Sequence, residues 1–166
     1  RSTQRGIYFT GETGQNMVSY NKIYLRSSGV YGIYFSRAPY NNISHNNISN
    51  LDTGFTPSGF IYLENSSENR IYENNLTSRD QSAVTDTLLL VMGVNSKNSS
   101  VTSNKIYDQS NGQGVLPLIS SMADNVSIIS NELISSGNEN NGLINLSRSA
   151  NANIVEWNNI TATSTG

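Results

Sequence analysis

Apolar residues return along this chain in columns separated by whole repeats. Val18, Ile43, Ile71, Val101, Ile128 and Val155 form one column, and five positions on Ile23, Ile48, Leu76, Ile106, Leu133 and Ile160 form a second. Between the members of each pair stands an asparagine. Asn21, Asn46, Asn74, Asn104, Asn131 and Asn158 recur at intervals of 25, 28, 30, 27 and 27 residues, so each repeat reads Φ-x-x-Asn-x-Φ. A third apolar strand precedes each asparagine by a dozen or so residues: Ile7 and Phe9, Ile33 and Phe35, Ile61 and Leu63, Leu89 and Val91, and Ile144 and Leu146. A short strand with one or two inward apolar residues cannot bury them alone, so successive turns must stack about 4.8 Å apart and share one core. Three short strands per turn predict a parallel β-helix of about six turns with almost no α-helix.

The turns divide at roughly 6–29, 30–54, 55–85, 86–114, 115–141 and 142–166. The first three share Gly6-Ile7-Tyr8-Phe9, Gly32-Ile33-Tyr34-Phe35 and Gly59-Phe60-Ile61-Tyr62-Leu63; Leu88-Leu89-Leu90-Val91 and Leu116-Pro117-Leu118-Ile119 take that place in the next two. Variable length is confined to the corner after the second column, where Asn50–Ser58 and Ser78–Asp86 are the longest segments. Solenoids accept insertions where their surface is used. The asparagine column suits the sharp bend between strands, because Asn tolerates left-handed backbone and its amide can bond to the Asn of the next turn.

Composition narrows the function classes. All 166 residues fit one domain, and the chain opens in mid-pattern at Arg1, as a fragment of a longer β-helix would. Charged residues are 13% with a formal net charge of −2, which leaves no basic surface for a phosphate backbone, so nucleic acid is not an expected partner. No apolar run reaches the length of a membrane span. With no cysteine and the single histidine His45, thiolate and multi-histidine metal sites are excluded.

Asn41-Asn42-Ile43-Ser44-His45-Asn46-Asn47-Ile48-Ser49 resembles the right-handed, single-stranded parallel β-helix repeat of pectin-lyase-like proteins, and the resemblance extends over the whole chain. It implies a fold and, for most members, an extended polysaccharide lying along the outside of the helix. The catalytic signatures of uronan epimerases, polygalacturonases and pectate lyases are absent from the sequence. The Asn/Ser-rich, cysteine-free style is more similar to a phage tailspike depolymerase or an archaeal disaggregatase, which implies an extracellular, cell-surface or virion location.

Within that frame three groups of side chains carry chemistry. Tyr8, Tyr34 and Tyr62 occupy equivalent outward positions in consecutive turns and predict a row of rings, a platform for the apolar face of a pyranose. Glu64 and Arg37 flank that row, either as a charge-matched site or as a cross-strand salt bridge. In the variable corner, Asp52 and Asp80 follow their asparagines by six residues and Arg79 adds a cation. If the loops keep register, these carboxylates stand near the roughly 5 Å of a retaining glycosidase pair, or share a calcium ion, the one cofactor considered. Preceding the asparagines, His45 lies between Tyr20 and Glu73 as a candidate proton-transfer trio.

The resulting expectation is a polysaccharide-recognising β-helix of a glycoside hydrolase or lyase class, with Asp52, Asp80 and Glu64 as catalytic candidates and Tyr8, Tyr34, Tyr62, Arg37 and Arg79 as binding candidates. The alternative is a non-catalytic stalk, adhesin or surface-layer module. Exposed strand edges at both ends predict association with further turns or with another copy.

Overall fold

The computed structural model describes residues 5–12, 14–50, 57–79, 89–109, 117–136, 143–147 and 151–163. Six coils of three strands stack into a parallel β-solenoid. Coil 1 holds β1 (Arg5–Thr10), β2 (Met17–Ser19) and β3 (Lys22–Tyr24); coil 2 holds β4 (Tyr31–Ser36), β5 (Asn42–Ser44) and β6 (Asn47–Asn50). Coil 3 holds β7 (Gly59–Glu64), β8 (Arg70–Tyr72) and β9 (Asn75–Ser78); coil 4 holds β10 (Leu90–Met92), β11 (Ser100–Thr102) and β12 (Lys105–Asp108). Coil 5 holds β13 (Ile119–Ser121), β14 (Ser127–Ile129) and β15 (Glu132–Ser135), and coil 6 holds β16 (Ile144–Leu146), β17 (Ile154–Glu156) and β18 (Asn159–Ala162). The first, second and third strands of the coils form three separate six-stranded parallel sheets. There is no helix among the described residues.

The core is the set of inward columns. Ile43, Ile71, Val101 and Ile128 are buried in the second sheet, and Ile48, Leu76, Ile106 and Leu133 in the third. In the first sheet, the expectation of Leu89 and Val91 as the inward pair of coil 4 is one residue out of register. Leu90 pairs with Ile61 and Met92 with Leu63, which sets Val91 beside Tyr62 on the outward column. The same ladder continues to Ile119 and Ser121 in coil 5. The continuous apolar run from Leu88 to Val91 hides the strand phase, because alternation cannot be read where every residue is apolar.

A glycine opens the first strand of each early coil for a steric reason. A Cβ on Gly32 would stand 2.6 Å from the Phe60 carbonyl oxygen and 3.1 Å from Ile48 Cγ2, so only glycine lets the backbones stack there.

The bend between the second and third sheets is two residues long in every coil. Its left-handed residue is the one before the asparagine: φ is 58° at Tyr20, 55° at His45, 53° at Glu73, 54° at Ser103, 56° at Ser130 and 58° at Trp157. The conformation expected of asparagine therefore belongs to its neighbour. Asparagine instead points inward, where each backbone N–H and side-chain Nδ2 donate to the Oδ1 of the next coil's asparagine. The distances run from 2.9 to 3.1 Å from Asn21 through Asn158. From coil 2 onward, each Nδ2 also donates to a carbonyl of the preceding coil, as Asn74 does to Ile43 O at 2.9 Å. A buried amide thus meets both its acceptor and its donor demands without water.

Candidate functional site

The outward face of the first sheet gathers the aromatic residues. Parallel pairing puts Tyr8 beside Tyr34 and Tyr34 beside Tyr62, because β1, β4 and β7 stack in register. The Tyr34 and Tyr62 rings are stacked, 5.2 Å apart and 6° from parallel, whereas Tyr8 tilts by 58° at 5.5 Å from Tyr34. The row is not an open strip, however. Tyr31 sets its ring edge against Tyr34 at 4.9 Å and against Tyr62 at 5.2 Å, and the Arg5 guanidinium lies 4.2 Å from the Tyr8 ring centre and 4.6 Å from that of Tyr34. Tyr34 is consequently 7% exposed, while Tyr8 is 43% exposed and Tyr62 half-buried. Alternation gives the side on which a residue lies and nothing about what leans over it; Arg5 and Tyr31 were the residues that sequence reasoning missed.

Glu64 closes this cluster. Its Oε2 accepts a hydrogen bond from the Tyr34 hydroxyl at 2.8 Å and another from Ser36 Oγ at 2.8 Å. Burial, and next the adjoining Glu64 carboxylate, push the Tyr34 phenol above its ordinary range, and burial does the same to Tyr62. The Tyr34 hydroxyl is thereby kept protonated as the donor to Glu64. The alternative of an Arg37–Glu64 salt bridge is not what forms: the Arg37 backbone N–H donates to the Glu64 carbonyl at 2.9 Å, and its side chain is exposed. Arg37 has φ of 57° at the start of the next bend, so the chain has already turned away from the strand face.

Beside the cluster, that bend forms a shallow groove of about 570 Å³ lined by residues including Arg37, Tyr40, Glu12 and Asn65. Tyr40, 54% exposed, donates to Glu68, whose carboxylate raises the Tyr40 phenol above its usual range.

The trio at the other bend does come together. His45 Nε2 is 2.7 Å from Glu73 Oε2, and the Tyr20 ring stacks on the imidazole at 4.7 Å and 19°. Tyr72 meets it edge-on at 5.9 Å. The dyad stands on the two-residue bend, with the His45 and Glu73 side chains 37% and 53% exposed.

Asp52 and Asp80 lie outside the described residues, and Arg79 is an exposed residue whose N–H donates to Asn50 O at 2.9 Å. Coils 2 and 3 supply three aligned pairs of ring and carboxylate: Tyr34 with Glu64, Tyr40 with Glu68 and His45 with Glu73. Each ring belongs to coil 2 and each carboxylate to coil 3.

The fold and its amide ladder define a protein of the parallel β-helix class. A family model described as "Periplasmic copper-binding protein (NosD)" matches residues 1–89, just over half of the chain, and the chain belongs to that family. Its matched region ends where the register of the first sheet departs from the sequence expectation. No curated protein and no solved structure matches the chain.

Proposed function

We propose that this domain recognises an extended polysaccharide outside the cytoplasm, with the glycan lying along the solenoid axis over Tyr8, Tyr62 and the groove at Arg37 and Tyr40. The observation that carries this reading is the register-aligned tyrosine row. Its accessible rings lie about one coil spacing from a covered one, a periodicity that suits a repeating chain better than a compact ligand. Glu64 is held by two hydroxyls, which favours a fixed acceptor for sugar hydroxyls over a proton-transferring acid. Recognition is thus better supported than cleavage, although Asp52 and Asp80 remain proposed partners for hydrolysis.

The family description also names copper and the periplasm. A periplasmic or cell-surface setting accords with the proposal. Copper does not fit the donor set of this chain. Copper(I) selects thiolate and thioether and copper(II) takes tetragonal nitrogen and oxygen donors, imidazole foremost; the chain has no cysteine, one histidine already engaged with Glu73, and three methionines. Met92 is buried in the core of coil 4, Met17 lies in coil 1 and Met122 follows β13 in coil 5. Four stacking steps of about 4.8 Å separate the coils of Met17 and Met122, roughly 19 Å, so these thioethers do not converge. No three His, Cys, Asp or Glu side chains gather among the described residues.

Glycan-array binding followed by calorimetry tests the proposal. Tyr62→Ala should weaken binding of a surface polysaccharide by roughly 1 to 2 kcal/mol with the fold intact. A protein that binds no glycan, or a Tyr62→Ala variant that binds like the parent, would transfer support to the stalk reading. The self-covered Tyr34 is the observation that already favours that second reading.

A further inference from the structure

In a stack of parallel coils, an outward side chain has as its nearest neighbours the residues at the same place in the coils on either side, so a cation kept for stability is set beside a carboxylate. Lys105 is the register partner of Glu132 and reaches it at 3.2 Å, and Lys97 reaches Asp124 at 3.2 Å. Other cations lie against rings: the Arg5 guanidinium on Tyr8 and Tyr34, and Lys22 and Arg26 on Tyr24. Of the cations among the described residues, this leaves Arg37, Arg70 and Arg79, whose side chains make no ion pair, hydrogen bond or ring contact there.

Two of these three meet at Tyr40. Arg37 and Tyr40 line the groove described above, and Tyr40 also lines a second groove, of about 290 Å³, together with Asn42, Glu68, Arg70, Asn98 and Ser100. This second groove lies on the outward face of the second sheet, where Arg70 in β8 pairs with Asn42 in β5 and Ser100 in β11. Its other edge is the end of the bend, where Tyr40, Glu68 and Asn98 follow one another in consecutive coils with φ of 60°, 56° and 55°. Arg70 thus stands between an amide and a hydroxyl. Arg37 is placed in the same manner, because the pairing of Thr10 with Ser36 and of Ser36 with Glu64 puts Gly11 and Asn65 on either side of it. Neither carboxylate that lines the grooves pairs with an arginine: Glu68 accepts from the Tyr40 hydroxyl, and Glu12 is exposed and forms no ion pair among the described residues. Asn98 Oδ1 accepts from Asn125 Nδ2 at 2.7 Å, which leaves the Asn98 Nδ2 available as a donor.

We propose that the outward face of the second sheet is a further binding site, for a carboxylate-bearing polysaccharide that crosses the bend over Tyr40. Arg37 takes one carboxylate on the near side of the ring and Arg70 another on the far side, each through the forked geometry in which a guanidinium donates two parallel hydrogen bonds. The exposed Tyr40 ring packs against the sugar between them, and Asn42, Asn98 and Ser100 supply amide and hydroxyl groups for its hydroxyls. A purely structural role would have placed a carboxylate beside each arginine, as Glu132 stands beside Lys105. The inference rests on the glycan reading above and adds to it a second face and the charge of the chain that is bound.

Calorimetric titration of the 166-residue protein with polygalacturonate, dextran sulfate and dextran tests it. Polygalacturonate should bind, and Arg37→Gln and Arg70→Gln should each weaken it about tenfold, the loss expected for a hydrogen-bonded charge pair. Lys105→Gln removes the same charge from the third sheet and should leave the affinity within about twofold, since an exposed charge at a distance is screened. Both arginines are exposed, and the melting of each variant confirms the fold before binding is read. Dextran bound as tightly as polygalacturonate overturns the inference, as does an equal loss in Lys105→Gln, which would mean general charge attraction. A preference for dextran sulfate overturns the assignment to carboxylates. If Tyr62→Ala weakens binding and Arg70→Gln does not, the second face falls and the tyrosine row stands. Loss in the arginine variants with Tyr62→Ala unchanged supports this site and removes the row from the glycan path, whereas a protein that binds none of the three polymers overturns this site.

Discussion

The two bends that flank the second sheet solve one problem in two ways. Between the second and third sheets the bend has two residues in each of the six coils, and its asparagine ladder runs unbroken from Asn21 to Asn158. Between the first and second sheets the bend varies in length, and the equivalent column reads Asn16, Asn41, Asn69, Ser99, Val126 and Asn153. There the amide stack fails after Asn69. Asn69 N–H reaches Ser99 Oγ at 3.3 Å, Val126 offers Ser99 no side-chain acceptor, and Val126 N–H resumes the pattern at Asn153 Oδ1, 2.7 Å away. Stitching moves outside, to Lys97 and Asp124 at 3.2 Å and to the Asn98–Asn125 amides at 2.7 Å. The uniform bend holds the solenoid in register. The relaxed bend is where the chain places Arg37, Tyr40 and the groove, so variation accumulates where the fold tolerates it.

The largest effect should come from the column the two bends share. Ile71 is completely buried between Ile43 and Val101 in the second sheet. Replacing it with Asp buries a charge without a partner and should abolish cooperative folding, read as loss of the thermal transition in circular dichroism. A soluble Ile71→Asp variant that melts sharply would contradict the core described above.

Within coil 4 the bends can be compared directly. Asn104 Oδ1 accepts two hydrogen bonds from Asn74, and its Nδ2 donates to Ile71 O, Thr102 O and Asn131 Oδ1. Asn104→Ala leaves several buried partners unsatisfied and should cost about 3 kcal/mol by denaturant unfolding. Ser99 Oγ accepts one long bond from Asn69, and Ser99→Ala should cost about 1 kcal/mol or less. Equal losses at the two sites would mean that ladder continuity is not what distinguishes the bends.

Most of the fold was legible because one period repeats at fixed offsets: a column of Asn between two apolar columns survives every change of loop length. The second ladder was harder to see. Its Asn falls to Ser and Val in two coils, so a repeat search weighted by identity passes over Asn16, Asn41, Asn69 and Asn153. The candidate site was legible only in its register. Strand alternation put Tyr8, Tyr34 and Tyr62 side by side, but the cover over Tyr34 comes from Arg5 and Tyr31, whose rotamers are tertiary facts. Glu64 was singled out beside Arg37, whereas hydroxyls of the neighbouring coil hold it, because a positive φ turns Arg37 off the strand face.

Mending the interrupted ladder is a smaller perturbation. Val126→Asn supplies an Oδ1 for the Ser99 N–H and an Nδ2 for Asn153 Oδ1 at a position whose side chain is fully buried. The lost apolar burial costs about 1.5 kcal/mol, and two to three hydrogen bonds of about 1 kcal/mol each offset it. A net gain of about 1 kcal/mol is expected, with Val126→Ala as a destabilised control. If Asn is no better than Ala there, the backbone of this bend does not accept the amide geometry.

The smallest expected effect is a pH dependence arising from Asp124 at the relaxed bend. Asp124 accepts a hydrogen bond from the Asn151 N–H at 3.0 Å, and this bond, followed by the Lys97 ammonium, holds its carboxyl below the ordinary value of 3.8. A carboxyl whose pKa is lower in the folded state contributes stability that is complete above its unfolded pKa and is lost as pH falls through the folded one. The uniform ladder is built of amides and does not titrate. Acidification from about pH 5 to pH 2 should therefore lower the melting temperature slightly more in the parent than in Asp124→Asn, whose Oδ1 still accepts from Asn151 but carries no charge. The remaining carboxylates are the same in both proteins and cancel in the difference. Identical acid profiles would show that Lys97 and Asn151 do not secure this bend in solution, leaving the hydrogen bonds at Asn98, Asn125 and Asn153 to hold it.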